Sequence, residues 1–277
     1  MNYAIILSGG KGSRMKSSIP KQYIEINGKP MISYSIEVFD RNDNIDGIVI
    51  VPSADYIEYM RKLADRHGYK KIIGIVEGGA ERYDSVYSGL KYISNLINDD
   101  VKLIQNIEQT NSQNNNKDNK NNNEDNKNDN KSNQNEGIAR NSSIDNYVYI
   151  HDGARPCVTD NIINSCNDDV KKYGACVAAV PVKDTIKVVD DNGIAVNTPD
   201  RSTLWQVQTP QVFEYSLIKN AYDRLYDDAD KIGITDDAMV AERYMDARVK
   251  MTMSEYTNIK ATTPEDIMIT REFLSVR

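Results

Sequence analysis

The 277-residue sequence is poor in the side chains on which many enzymes depend, with two histidines, three cysteines and one tryptophan. Neither His67 nor His151 belongs to a His/Cys/Asp cluster with metal-ligand spacing, which argues against an all-protein metal centre. The cysteines (Cys157, Cys166 and Cys176) form no Cys-x-x-Cys pair. Because their number is odd, we expect a reducing compartment, where each behaves as a small buried hydrophobe.

Long hydrophobic runs are absent from the sequence, and no leader segment is expected. It begins directly on an apolar strand pattern rather than on a charged region followed by an apolar stretch, so no signal peptide is predicted. No apolar run is long enough to span a bilayer. We therefore expect a cytoplasmic protein with no membrane partner. The net charge of −7 argues against a nucleic-acid partner but leaves room for a phosphorylated small molecule.

Aliphatic and aromatic residues are absent from Thr110 to Glu136, where 13 of 27 positions are Asn. Such a stretch cannot bury enough apolar surface to offset the entropy of ordering it, so residues 108–143 are predicted to be a disordered surface insertion. A partner-binding Asn tract is the alternative. The remaining residues, about 235, suit a single α/β domain.

The first apolar run, Tyr3–Leu7, ends in the sequence Ser8-Gly9-Gly10-Lys11-Gly12-Ser13-Arg14. Closely spaced glycines let backbone N–H groups surround an anion, and Arg14 and Lys21 add positive charge, so the segment predicts a phosphate-binding loop. It fits neither the dinucleotide fingerprint nor the Walker loop. The alternative is a glycine-rich turn that binds nothing.

Apolar runs bounded by turn residues alternate with helical patterns along the chain. The predicted strands are Tyr3–Leu7, Gly47–Val51, Lys71–Val76, Tyr147–His151 and Cys176–Pro181. The predicted helices are Met31–Phe39, Ala54–His67, Arg82–Leu96, Asp160–Tyr173, Tyr215–Tyr226, Asp236–Met245 and Pro264–Leu274. Ser53 and Thr263 have the character of N-caps. This alternation predicts an α/β fold: a three-layer, mostly parallel, Rossmann-like sheet.

Ligands of such sheets bind beyond the carboxyl ends of the strands. Three predicted strands lead there into glycine and charged residues: the glycine loop, the segment 77–82 and the segment 151–156. Their convergence on one edge predicts a binding site. A different pattern covers residues 182–211, where polar and apolar residues alternate around Asn192-Gly193, a strong hairpin signal. An isolated two-stranded arm is barely stable, so we expect it to pack on a second subunit.

Motifs spread over the chain resemble those of the 2-C-methyl-D-erythritol 4-phosphate cytidylyltransferase family. They are Gly10-x-Gly12-x-Arg14-Met15, Pro20-Lys21-Gln22-Tyr23, Gly78-Gly79-x-Glu81-Arg82-x-Asp84-Ser85, His151-Asp152-Gly153-Ala154-Arg155-Pro156, Pro181–Lys187, Asp200-Arg201, Gln208-Thr209-Pro210-Gln211, Thr235-Asp236-Asp237-Ala238 and Asn258-Ile259-Lys260. The match covers the chain except for the Asn-rich insertion. It implies the nucleotidyltransferase fold and transfer of a cytidylyl group from CTP to a sugar-alcohol phosphate, with release of pyrophosphate.

The resemblance also implies roles for individual residues. The loop residues Ser8, Gly9, Gly10 and Gly12 match positions that surround the CTP phosphates. Gly79, Ala80 and Ser85 match contacts to cytosine and ribose, although the family often has Asp where this chain has Ala80. The cations that stabilise charge at the α-phosphorus correspond to Arg14, Lys21 and Lys260.

For the acceptor, the resemblance implies Asp152 near the acceptor and Mg²⁺, followed on the same loop by Arg155. Thr185 and Arg201 lie on the arm, which in the family reaches into a neighbouring subunit of a homodimer and holds the acceptor phosphate, and Thr209 completes that end of the site. Mg²⁺ is expected to be held mainly by the CTP phosphates.

Two alternatives remain open from the sequence. One is a cytidylyltransferase acting on D-ribitol 5-phosphate for wall polymers, since the Ser8-Gly9-Gly10 start departs from the Ala-Ala-Gly common in the family. His151-Asp152-Gly153 and Asp200-Arg201 favour the erythritol acceptor. The other is a non-catalytic nucleotide-sensing or partner-binding protein of the same fold, against which Arg14, Lys21 and Lys260 argue.

Overall fold

The structure, a computed structural model, describes residues 1–10, 19–118 and 146–276. Gly12 and Arg14 and most of the predicted insertion lie outside the described residues. The chain divides into two compact units, Met1–Leu90 with Asp145–Arg277, and Lys91–Ile144.

In the described part of the chain, the strands of the first unit are β1 (Asn2–Leu7), β2 (Glu25–Ile26), β3 (Lys29–Pro30), β4 (Gly47–Val51), β5 (Ile72–Ile75), β6 (Tyr147–Asp152), β7 (Ala175–Pro181), β8 (Val188–Val189), β9 (Ala195–Asn197), β10 (Trp205–Glu214) and β11 (Lys250–Met253). The helices are α1 (Met31–Arg41), α2 (Ile57–His67), α3 (Arg82–Asp118), α4 (Asp160–Tyr173), α5 (Tyr215–Asp227), α6 (Asp237–Met245) and α7 (Pro264–Ser275). The second unit's described part is the continuation of α3 from Lys91 to Asp118.

The described residues form a seven-stranded sheet in the order β11-β7-β10-β6-β1-β4-β5. Its strands pair in parallel except β10, which runs antiparallel to both β6 and β7. The central strands β1, β4 and β6 are apolar and almost wholly buried, as expected for a sheet covered on both faces. The predicted mostly parallel α/β fold is confirmed.

Helix ends follow capping chemistry, with one correction to the prediction. Thr263 and Asp266 form a reciprocal capping box at the start of α7, with Pro264 in the first helical turn, which confirms Thr263 as an N-cap. Ser53 also stands at an N-cap position, but it precedes a short 3₁₀ turn at Ala54–Tyr56 rather than α2, and its side chain makes no capping hydrogen bond. The three cysteines are buried and form no disulfide, as expected.

Two segments differ from the predicted boundaries. Helix α3 was expected to end at Leu96 but continues to Asp118, so the first residues of the range 108–143 are helical. The range 182–211 was expected to form one arm, but Trp205–Gln211 belongs to β10 in the central sheet. What remains outside the sheet is the short antiparallel pair β8–β9, joined through a turn in which Gly193 has a φ of 78°. Residues 183–198 are exposed throughout.

Candidate functional site

The carboxyl ends of β1, β5 and β6 converge on one cavity of about 260 Å³. Among the residues that line it are Gly9, Gly10, Lys21, Gln22, Gly79, Ala80, Glu81, Arg82, Ser85, Asp152, Ala154, Lys260 and Thr262. The structure therefore brings together eight of the residues predicted from sequence: Gly9, Gly10, Lys21, Gly79, Ala80, Ser85, Asp152 and Lys260. Gln22, Glu81, Arg82 and Thr262 were given no role by the sequence.

The glycine loop is anchored from below by Tyr23. The Tyr23 hydroxyl lies 3.1 Å from Ser8 Oγ and 3.3 Å from the Ser8 backbone oxygen. Ser8 itself is buried and does not line the cavity. The Tyr23 ring stacks on Tyr56 with centroids 4.2 Å apart. Burial raises the pKa of Tyr23, so the phenol remains a hydrogen-bond donor at neutral pH. These contacts hold Ser8, the residue at which the glycine loop begins, in a fixed position at the end of β1.

The opposite wall of the cavity is the turn before α3. The Gly79 N–H donates to Ser85 Oγ at 3.2 Å. A Cβ at Gly79 would lie 2.2 Å from Asp84 Cβ, so a side chain there could not fit without displacing the helix start. Glycine is required at this position by close packing, and Ala80 beside it offers the cavity only backbone and a methyl group.

Asp152 ends β6 and carries the buried negative charge of the site. Its Oδ1 accepts from Arg82 Nε at 3.2 Å, and its Oδ2 lies 2.7 Å from Lys260 Nζ. Burial alone would raise the pKa of Asp152, but Arg82, Lys260 and Arg155 together hold it well below its usual value. Asp152 is therefore an anion throughout the neutral range.

Asp152 is also fixed through its backbone, by Thr209 and His151. The Asp152 N–H donates to Thr209 Oγ1 at 3.1 Å, and Thr209 Oγ1 lies 3.1 Å from His151 Nδ1. His151 Nε2 lies 3.3 Å from both the Arg155 carbonyl and Ser35 Oγ. Because the carbonyl can only accept, we assign the ring proton to Nε2, which leaves Nδ1 to accept from Thr209. Burial lowers the pKa of His151 to about 4, and the neutral ring packs in the core.

Lys260 is positioned by the loop that follows β11. Asn258 donates from Nδ2 to the Thr209 carbonyl and to Gln208 Oε1, each at 2.9 Å, and its own carbonyl accepts from Arg155 Nη1 at 2.8 Å. The Ala261 N–H then pairs with the Ala154 carbonyl at 2.9 Å. These bonds tie Lys260 to the segment that bears Asp152.

A second cavity adjoins the first, since Lys260 and Thr262 line both. Arg155 lines this second cavity together with Gln206, Gln208 and Tyr256. Thr185 and Arg201 line neither: both are exposed on the segment beside β8 and β9, where Arg201 Nη1 donates to the Lys183 carbonyl at 2.9 Å. Thr209 lies behind Asp152, not in either lining.

For a divalent cation, the described residues offer a carboxylate rather than a complete set of ligands. Among the described residues, no group of three His, Cys, Asp or Glu side chains is placed to hold a metal ion. Asp152 alone is an ionised, buried carboxylate at the cavity floor, and each of its oxygens has a second lone pair beyond the one facing Arg82 or Lys260. Mg²⁺ is commonly held by one or two carboxylates together with substrate phosphates, so these residues fit such an ion.

The site combines a glycine loop at the end of β1 with lysine, arginine and one buried carboxylate. These features define an α/β protein that binds a phosphorylated ligand at the edge of its sheet. A family model described as 2-C-methyl-D-erythritol 4-phosphate cytidylyltransferase matches residues 2–111 and 126–275. The chain belongs to this family.

Individual relatives agree with the family model. A protein of Lachnospira eligens named 2-C-methyl-D-erythritol 4-phosphate cytidylyltransferase is 45% identical over 99% of both chains. One of the same name from Alkaliphilus oremlandii is 38% identical over 99% of this chain and 94% of its own. The crystal structure of the 4-diphosphocytidyl-2C-methyl-D-erythritol synthase of Anaerococcus prevotii superposes with a TM-score of 0.70 at 26% identity, covering 99% of this chain and 96% of that one. None of the described helices is long and apolar enough to cross a membrane.

Proposed function

We propose that this chain transfers the cytidylyl group of CTP to 2-C-methyl-D-erythritol 4-phosphate, giving 4-diphosphocytidyl-2-C-methyl-D-erythritol and pyrophosphate. The observation that carries the proposal is the meeting of the glycine loop, Lys21, Asp152 and Lys260 in one cavity. The names of the curated relatives support this acceptor over D-ribitol 5-phosphate. The same cations argue against a purely nucleotide-sensing role.

The chemistry requires charge control rather than a general base. The attacking group is a phosphate oxygen that is already ionised at neutral pH, which suits a site whose histidine is buried and neutral. At 4 Å two like unit charges repel by about 4 kcal/mol at an effective dielectric constant near 20. Lys21 and Lys260 lie where they would offset this repulsion and the charge that develops at the α-phosphorus. Arg14 is proposed to act with them.

The two adjoining cavities suit two substrates. We assign the nucleotide to the cavity between the glycine loop and the Gly79–Ser85 turn, and the acceptor to the cavity lined by Arg155. Lys260 lines both cavities, which supports a role for it where the two substrates would meet. Mg²⁺, when bound by Asp152 and the CTP phosphates, would neutralise charge on the triphosphate.

The exposed pair β8–β9 is proposed to be a dimerisation arm. It presents Ile186, Val188, Val189, Ile194 and Val196 to solvent. A two-stranded element is marginal by itself, so a second copy of this chain is its proposed partner. Thr185 and Arg201 would then complete the acceptor cavity of the neighbouring subunit. The cytoplasmic location stays a prediction from sequence.

The test compares acceptors in parallel. Pyrophosphate release is measured with CTP, Mg²⁺ and either 2-C-methyl-D-erythritol 4-phosphate or D-ribitol 5-phosphate. The proposal expects a kcat/KM at least a hundredfold higher for the erythritol compound. Equal or faster turnover with ribitol 5-phosphate would move the assignment to the wall-polymer enzyme, and no release with either would favour the nucleotide-binding alternative.

A further inference from the structure

Arg82, which lines the cavity, forms an ion pair with Asp237, which is buried outside the lining. Arg82, the first residue of α3, donates from Nη1 and Nη2 to the two carboxylate oxygens of Asp237, at 2.8 and 2.7 Å. Asp237 begins α6 and is fully buried, and it is not among the residues that line either cavity. Only the Nε edge of the guanidinium reaches Asp152.

Asp237 is itself held in place by two neighbours. The Tyr222 hydroxyl on α5 donates to Asp237 Oδ1 at 2.6 Å. The backbone N–H groups of Asp237 and Ala238 donate to Gln211 Oε1, at 3.0 and 2.9 Å. These bonds fix the orientation of the Asp237 carboxylate independently of Arg82. A fixed orientation suits the planar geometry of a bidentate pair with arginine.

One guanidinium bridges two carboxylates. Arginine prefers a fork of two parallel hydrogen bonds to a carboxylate, and Arg82 makes this fork with Asp237 through Nη1 and Nη2. The fork fixes the orientation of the guanidinium, and in that orientation Nε donates to Asp152 Oδ1. Oδ2 of Asp152 stays directed toward Lys260 at 2.7 Å, whereas a fork of Arg82 with Asp152 would occupy both oxygens.

We propose that Asp237 is a positioning residue, which acts through Arg82 to hold the Asp152 carboxylate in its working orientation. It touches neither the cavity nor any proposed substrate position. This inference rests on the proposed cytidylyl transfer. Its consequence is that removing the charge of Asp237 lets Arg82 turn toward Asp152 and draw Oδ2 away from Lys260.

The test is Asp237→Asn, with Asp236→Asn as the matched control. Asp236 is the N-cap of α6: its Oδ1 accepts from the Met239 N–H at 3.0 Å, and its Oδ2 accepts from Gln211 Nε2 at 2.9 Å. Asn caps helices equally well, and the bonds from the Asp237 and Ala238 N–H groups to Gln211 Oε1 do not involve the Asp236 side chain. Both variants remove one negative charge from the same helix start, but Asp236 makes no ion pair with Arg82. Asp237→Asn is expected to lower kcat about 100-fold, as for an active-site group displaced by an ångström, with the KM for CTP changed less than threefold. Asp236→Asn should retain wild-type kcat.

A double-mutant cycle separates positioning from simple loss of stability. In the Arg82→Gln background, Asp237→Asn is expected to cause no further decrease in kcat, because its effect passes through the guanidinium. An equal decrease in both backgrounds, or equal kcat values for Asp236→Asn and Asp237→Asn, would overturn the proposal. Should Asp237→Asn not fold, Tyr222→Phe replaces it and is expected to lower kcat in the same direction by a smaller factor; an unchanged kcat would count against the idea. Wild-type turnover, read in the same assay, reports separately on the proposed function.

Discussion

The neutral His151 predicts how stability depends on pH. Burial lowers the pKa of this side chain to about 4, whereas a histidine in an unfolded chain titrates at about 6.5. Between these two values the unfolded chain binds a proton that the folded chain does not. The contribution of His151 is therefore intact above pH 6.5 and is lost as the pH falls toward 4. The two pKa values give a loss of about 2 kcal/mol in the free energy of unfolding between pH 7 and pH 5.

The assay is urea unfolding of the wild type, His151→Gln and His67→Gln at pH 7 and at pH 5. Carboxylates that titrate in this range contribute to all three proteins alike, so they cancel in the comparison. His67 is exposed on α2, and its variant keeps His151 and with it the wild-type pH dependence. His151→Gln is expected to lose about 2 kcal/mol less than the wild type over this interval. The same loss in all three proteins would refute a His151 that stays neutral in the folded protein at pH 5.

Three further predictions concern the cavity, the insertion and the arm. Lys21→Ala should raise the activation barrier by about 3 kcal/mol, by analogy with removal of an oxyanion donor. Lys62 is exposed, so Lys62→Ala should leave kcat unchanged. Similar rates for both variants in a pyrophosphate-release assay would show that Lys21 is not part of the site. Deletion of Thr110–Glu136 should leave turnover near the wild-type value, and a large loss would assign that segment a role in activity. Val188→Asp should convert the proposed dimer to monomer in light scattering. Ile232→Asp, which changes an exposed apolar residue outside the arm, should not, and dimers in both variants would place the interface elsewhere.

The central strands could be predicted because they are short, apolar and bounded by turn residues, which leaves few other interpretations. β10 could not. Its sequence mixes Gln and Thr with apolar residues and carries Pro210 in its interior, which argues against a central strand. The structure accommodates this proline where the register to β7 shifts, between Val207 and Gln211. That shift depends on tertiary pairing and has no local signal.

The site was predictable to the extent that strand ends converge. Lys21, Gly79 and Asp152 follow strands whose carboxyl ends must share an edge, so their meeting follows from the topology. The pair Arg82–Asp237 is separated by 155 positions and joins the starts of two helices, and nothing in either local sequence indicates the partner. Thr209 shows a related limit. Its motif predicts a functional residue, but the sequence does not indicate whether Thr209 lines the cavity or, as in the structure, hydrogen-bonds the backbone of Asp152 outside the lining.

Cytidylyl transfer itself is tested most directly by the fate of the phosphorus atoms of CTP. The chain is incubated with Mg²⁺, 2-C-methyl-D-erythritol 4-phosphate and CTP that carries radioactive phosphorus at either the α- or the γ-position. The products are separated by chromatography and their radioactivity is counted. The account predicts that the α-label enters 4-diphosphocytidyl-2-C-methyl-D-erythritol and that the γ-label leaves as pyrophosphate. Transfer of the γ-label to the acceptor, or an intact CTP pool after prolonged incubation, would contradict it.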